Sequence, residues 1–238
     1  MLPNLKLVVF DMSGTTVKDY GEVLNNFYDA LVVTGIPTDK TMINTMMGWS
    51  KIEVFEKLWR EKLRKNGSQN EEEVRLKAQE SFRVFSVLLE NWYEDNPIEP
   101  TIGCLEIFEY LREKGVKIAL NTGFYRRVAD IIFHKLNWKQ GKTFDFSVTS
   151  DEVLRGRPAP QMIHEAMAFF NIDNPNQVAK IGDTPSDLQE GKAAGVHTFG
   201  LTNGTHTRVE LVGFDNDGLF DSLVDFQVFL KEKEAQRV

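Results

Sequence analysis

The sequence has 238 residues, 42% of them hydrophobic and 26% charged, and a net charge of −7. That length can bury one large or two modest cores, and the acidic balance argues against a nucleic-acid partner, whose phosphates call for clustered Lys and Arg. No apolar run approaches the roughly 20 residues that cross a bilayer, so no membrane partner is expected.

Residues 5–10 (LKLVVF) are predicted as a first β-strand, and the start MLPNLKLVVFD reads as that strand rather than as a cleaved leader. Asp11 follows it, ahead of Gly14, Thr15 and Thr16. A carboxylate there faces the carboxyl end of a sheet, and Gly14 permits a tight turn beside a ligand. Taken alone, the pattern equally fits a turn or helix cap. From residue 18 to residue 98 only helical patterns occur, at 21–34, 51–65 and 71–92. The last carries Val74, Ala78, Phe82, Phe85, Leu89 and Trp92 at helical spacing, the mark of a packed bundle. Pro97 and Pro100 then end the helical insert.

Beyond residue 103, strands and helices alternate. Strands are predicted at 116–120, 144–148, 177–181 and 196–200, and helices at 104–114, 124–136, 159–170 and 185–194. Such alternation implies a parallel sheet covered on both faces. Three strand-end segments carry chemistry. Asn121-Thr122-Gly123 offers a hydroxyl and backbone N–H groups at a helix start, suited to a phosphate or to a plain cap. Gly156-Arg157-Pro158 holds a cation fit to clamp a phosphoryl oxygen and steady a nucleophile, or to stay in solvent. The stretch GDTPSD places Asp183 and Asp187 past a strand end, where hard oxygens suit Mg²⁺ or cap the next helix. Cys104 is the only cysteine, which excludes an intrachain disulfide and fits a reducing cytoplasm. The four histidines are scattered, without metal-ligand spacing. The tail KEKEAQRV reads as a charged helix end.

In the order acid, hydroxyl, cation, acid pair, each at a separate strand end, the chain resembles the haloacid dehalogenase (HAD) superfamily over nearly its whole length. The resemblance implies an α/β fold: a Rossmann-like parallel-sheet core, residues 1–17 and 99–238, with an α-helical cap, residues 18–98, inserted after the first strand. It makes Asp11 the nucleophile and Thr122, Gly123 and Arg157 the phosphate-binding residues. Mg²⁺ would be held by Asp11, by the main-chain carbonyl of Ser13, and by Asp183, with Asp187 a ligand or close behind.

Ser13 stands where the superfamily's phosphatases carry a second acid, and DMSGTTV is similar to the first motif of the phosphonatase branch, which lacks that acid. The insert segment at Met47, Gly48, Lys51 and Ile52 resembles the same branch, which places Lys51 at the position of a lysine that forms a Schiff base with a substrate aldehyde. Two positions depart from it: Val54 replaces a proton-relaying histidine, and Phe124 replaces a tyrosine, with Tyr125 next door. The expected substrate is a small phosphonate metabolite. The alternatives are a phosphatase of the phosphoglycolate type, acting on a small phosphorylated metabolite, and a phosphate-binding protein without turnover. Trp49, Phe55 and Trp59 offer either a homodimer interface or core packing.

Overall fold

The computed structural model describes residues 4–36 and 38–236. In chain order, β1 (Leu7–Phe10) leads into α1 (Glu22–Val33), α2 (Lys40–Asn44), α3 (Lys51–Lys65) and α4 (Glu71–Asp95). Then follow α5 (Cys104–Glu113), β2 (Lys117–Thr122), α6 (Arg126–Lys135), β3 (Phe146–Thr149), α7 (Gln161–Phe169) and β4 (Val178–Gly182). The chain continues through α8 (Pro185–Ala193), β5 (His197–Leu201), α9 (Arg208–Leu211), β6 (Gly218–Phe220) and α10 (Leu223–Ala235).

The six strands form one parallel sheet in the order β3-β2-β1-β4-β5-β6. Strand β1 lies at its centre, with Val8 opposite Ile118 on one side and Ala179 on the other. Its residues alternate between faces, as the two-residue strand period requires. Val8 and Phe10 join the larger core with α5, α6 and α10, whereas Leu7 and Val9 join the smaller one with α7. Strand order reverses at β1, and ligands in open α/β sheets bind beyond the carboxyl ends at such a point. Asp11 sits one residue past that end.

The insert is a helical cap packed on its own aromatic centre. Phe27, Phe55 and Phe85 from α1, α3 and α4 stack with centroids 4.5 to 5.8 Å apart. Helix α4 begins with the Asn70 side chain accepting from the Glu72 and Glu73 amides, and three glutamates in its first turn suit the helix dipole. Phe55 and Trp59 are consumed in this packing rather than displayed for a partner, and the Trp59 indole donates to Ser81 Oγ at 2.8 Å. The chain enters and leaves the cap side by side. The Lys18 amide donates to the Glu99 carbonyl, and the Thr101 amide to the Thr16 carbonyl, each at 3.0 Å.

The predicted elements are present with shifted ends: the strand expected at 144–148 is Phe146–Thr149, and the helix expected from 124 starts at Arg126. The sequence reading missed the short helices α2 and α9, the body of α10, and β6, which at three half-buried residues is too short for a periodic signal. The helical tail ends at Ala235, and the last two residues lie outside the described ones.

Candidate active site

Asp11 is buried, and its Oδ1 accepts from Arg157 Nη1 at 2.6 Å. The other donors of Arg157 are also committed. Nη1 lies 2.8 Å from Asp187 Oδ1, and Nη2 donates to the carbonyl and the side-chain oxygen of Asn121, both at 2.7 Å. Nε lies 3.0 Å from Glu190 Oε2, without the alignment of a hydrogen bond. Lys180, in the middle of β4, reaches Asn121 Oδ1 at 2.7 Å and Asp187 Oδ1 at 2.9 Å. Asn121 closes the network by donating to both Glu190 oxygens at 2.9 Å. Every charged member apart from Asp11 is fully inaccessible. Arg157 therefore fixes the orientation of the Asp11 carboxylate through Oδ1.

Asp11, Asp183 and Asp187 each offer a carboxylate oxygen within 4.8 Å of the others, a buried acidic cluster of the kind that holds a divalent metal. Thr15 Oγ1 donates to Asp183 Oδ1 at 2.9 Å, and the Thr205 amide and hydroxyl both donate to Oδ2 at 2.7 Å. Asp187 is tied into a capping box, with Oδ2 accepting from the Thr184 hydroxyl at 2.6 Å and amide at 3.1 Å. Burial pushes Asp11 up to about 7, aided by the Asp187 charge and opposed by Arg157 and Lys180. Burial also raises Asp183, to about 6. For Asp187, burial is outweighed by Arg157 and Lys180, which hold it down at about 2. Three acids this close cannot share their charge unaided, and a divalent cation relieves that conflict.

The cap turn at residues 47–50 closes over this cluster. A Cβ on Gly123 would lie 2.5 Å from the Gly48 carbonyl oxygen, and one on Gly48 would lie 2.5 Å from Thr184 Oγ1. Only glycine lets these two backbones approach so closely. Between them remains a cavity of about 20 Å³, room for a water and too little for a phosphoryl group. A roomier cleft of about 190 Å³ between α5 and α10 gathers no comparable chemistry.

Lys51, the first residue of α3, lines the cavity with Asp11, Ser13 and Thr122. It is 4% exposed, its Nζ lies 5.5 Å from the Phe124 ring centre and 5.9 Å from that of Phe27, and it donates to the Trp49 carbonyl at a long 3.3 Å. Burial lowers it to about 8, with Asp11 and Asp19 resisting and Arg157 assisting. A cation at a helix N-terminus also faces the wrong end of the dipole. Val54, one turn on, is buried and supplies no proton carrier, and the Tyr125 hydroxyl turns away to Glu90 at 2.8 Å.

The structure thus gathers Asp11, Ser13, Lys51, Thr122 and Gly123 around one cavity, with Arg157, Asp183 and Asp187 packed behind it. Asp19 was missed. It lines the same cavity, with Oδ2 accepting from Ser13 Oγ at 3.2 Å and Oδ1 from the Gly21 amide at 2.5 Å. Burial, then the neighbouring Glu22, raises it to about 6. Lys180, Asn121 and Glu190 were missed as well; a lysine inside the apolar strand QVAKI was the available signal, since buried lysines are almost always paired.

The family profile of haloacid dehalogenase-like hydrolases matches residues 5–195. The phosphonoacetaldehyde hydrolase of Latilactobacillus sakei subsp. sakei is 32% identical over 232 residues, covering 92% of this chain and 82% of its own. A hydrolase from Pseudomonas syringae superposes with a TM-score of 0.81 at 22% identity, over 95% of this chain and 98% of its own. A phosphonoacetaldehyde hydrolase-like protein from Oleispira antarctica does so at 0.78 and 20% identity, over 97% and 93%. The chain belongs to the haloacid dehalogenase-like hydrolases and is an enzyme of their phosphonatase-like branch.

Proposed function

We propose that this enzyme cleaves the carbon–phosphorus bond of a small phosphonate bearing an aldehyde next to the scissile carbon, with phosphonoacetaldehyde as the template. The observation that carries the reading is Lys51: a buried amine, lowered to about 8, facing the Asp11 cavity beside a serine that cannot protonate a leaving group. Residues 18–98 act as the cap domain, over a core domain of residues 1–17 and 99–238. The reaction suits the cytoplasm, where the buried thiol of Cys104 stays reduced.

Asp11, the Ser13 carbonyl and Asp183 would hold Mg²⁺, with Asp187 behind them; bound there, it neutralises phosphoryl oxygens as a Lewis acid. Thr122 and the Gly123 amide receive the phosphonate oxygens at the end of β2. Neutral Lys51 adds its Nζ lone pair to the aldehyde carbon, and loss of water with uptake of one proton leaves an iminium. Asp11 Oδ2 then attacks phosphorus in line. The C–P electron pair moves into the iminium and gives a neutral enamine, so no free carbanion departs. Protonation of the enamine carbon and addition of water release the aldehyde and Lys51. A second water cleaves the aspartyl phosphate to inorganic phosphate.

Borohydride reduction in the presence of phosphonoacetaldehyde tests the reading. It should fix a covalent adduct on Lys51, read by peptide mass spectrometry, and Lys51→Ala should lose both adduct and C–P cleavage. Absence of an adduct, with phosphate esters turned over equally by wild type and Lys51→Ala, would establish a monoester phosphatase instead.

A further inference from the structure

The iminium on Lys51 is a cation formed in a small cavity around a buried side chain, and such a charge needs a partner. Among the described residues, two carboxylates line that cavity, Asp11 and Asp19. Asp11 is already paired with Arg157, and it becomes an acyl phosphate during the reaction. Asp19 has no such commitment. It belongs to the chain segment entering the cap, and its oxygens are oriented by the Ser13 hydroxyl and the Gly21 amide. Neither donor is a cation, so no ion pair draws its charge away from the cavity; burial and the neighbouring Glu22 carboxyl raise it to about 6, and it is an anion above that value. Behind it, the first turn of α1 is pinned by buried Glu22, which accepts from the Tyr93 hydroxyl at 2.6 Å and the Tyr20 amide at 2.7 Å. Ser13 gains a use here: the residue in the place of the missing acid holds another acid in position.

The geometry points to Asp19 as a catalytic residue, the counter-ion of the Lys51 iminium, and thereby as the group that selects substrates carrying a carbonyl. This assignment rests on the Lys51 imine proposed above. In the balanced step, the neutral amine and the aldehyde take up one proton and release water, so the site gains one positive charge, which the Asp19 carboxylate faces without itself changing covalently. A phosphate monoester places the opposite charge there, because its alcohol leaves as a developing anion. Asp19 opposes that anion, so the same carboxylate favours one substrate class and disfavours the other.

The test is borohydride trapping in Asp19→Asn and Asp19→Glu beside wild type, each checked for a cooperative thermal transition. Asp19→Asn should lower the yield of trapped Lys51 about 10²-fold, the order expected on removing one opposite charge from the same cavity under protein-like screening. Asp19→Glu should restore part of it. The pH midpoint of trapping should also move down in Asp19→Asn, since Asp19 favours the charged lysine, and loss of packing alone would not shift it. The ratio of phosphate-ester to phosphonate turnover should rise in the same variant. Should Asp19→Asn not fold, Asp19→Ser and Asp19→Glu carry the comparison of uncharged with charged side chain. Equal trapping with an unmoved midpoint in the uncharged variants overturns the counter-ion and leaves the imine standing. A wild type that traps nothing overturns both.

Discussion

The two halves of the active site are built on opposite electrostatic terms. On the core side, Arg157, Lys180, Asp187, Glu190 and Asn121 pair with one another at 2.7 to 3.6 Å, wholly out of water. On the cap side, Lys51 has one weak acceptor at 3.3 Å and aromatic rings for neighbours. A buried network of paired charges holds those charges still, which suits the part of the proposed reaction that is the same for every phosphoryl donor. An under-solvated amine is reactive because it is poorly served. On the reaction proposed above, the fold would separate a fixed phosphoryl-transfer side, grown from strand ends, from a leaving-group side carried on the helical insert.

That contrast breaks first at Asp11, the proposed nucleophile. Asp11→Asn keeps the shape of the site and removes the attacking oxygen, so steady-state turnover should fall on the order of 10⁴-fold or more, while trapping of Lys51 persists. Loss of trapping as well would mean that the two halves do not act separately. Next comes Ser13→Asp, which introduces the acid the cap side lacks. Hydrolysis of phosphate monoesters should rise by about 10²–10⁴-fold, the usual worth of general acid–base catalysis. No gain in a monoester panel would show that the Lys51 side excludes alcohol leaving groups by shape. Third, Lys180→Met removes one partner from the core network and leaves Asp187 and Glu190 with a single cation between them. Stability measured by urea denaturation should drop by about 3–5 kcal/mol, as for other half-broken buried ion pairs.

The difference between the halves also governs what a linear reading can see. Asp11, Arg157 and Asp183 follow apolar strands and Thr122 ends one, and their order along the chain places them together, because every parallel strand delivers its carboxyl end to one edge. Lys51 was legible through the segment around it, although nothing in its spacing reveals that α3 begins under two aromatic rings. Arg157 was legible in part. A glycine-arginine-proline loop reads as a cation that steadies Asp11, and that contact is present across 146 residues, whereas the Asn121 oxygens that hold its other end, 36 residues away, left no signal. Asp19 was hidden for another reason. It belongs to a polar linker, and its burial depends on the cap folding back over β1, a tertiary event that leaves no local periodicity. β6 escaped because three residues carry no pattern.

Lys51 offers the finest probe of the cap side, because its reactivity and its cost to the fold have one origin. Its folded value of about 8 lies below the 10.5 of a free lysine. Between those values the unfolded chain binds the extra proton, so stability rises with pH across that interval and is lost as pH falls through it. Lys51→Met has no proton to lose and fills the same space with apolar atoms. It should be the more stable protein near neutral pH, by on the order of 1–3 kcal/mol, and the gap should close as pH approaches 10.5. Urea unfolding of both proteins at pH values on either side of 8 measures this directly. A gap of constant size would locate the Lys51 ammonium in water, and the same result would remove the reason for its reactivity, since an amine solvated in the folded state has no cause to be neutral when substrate arrives.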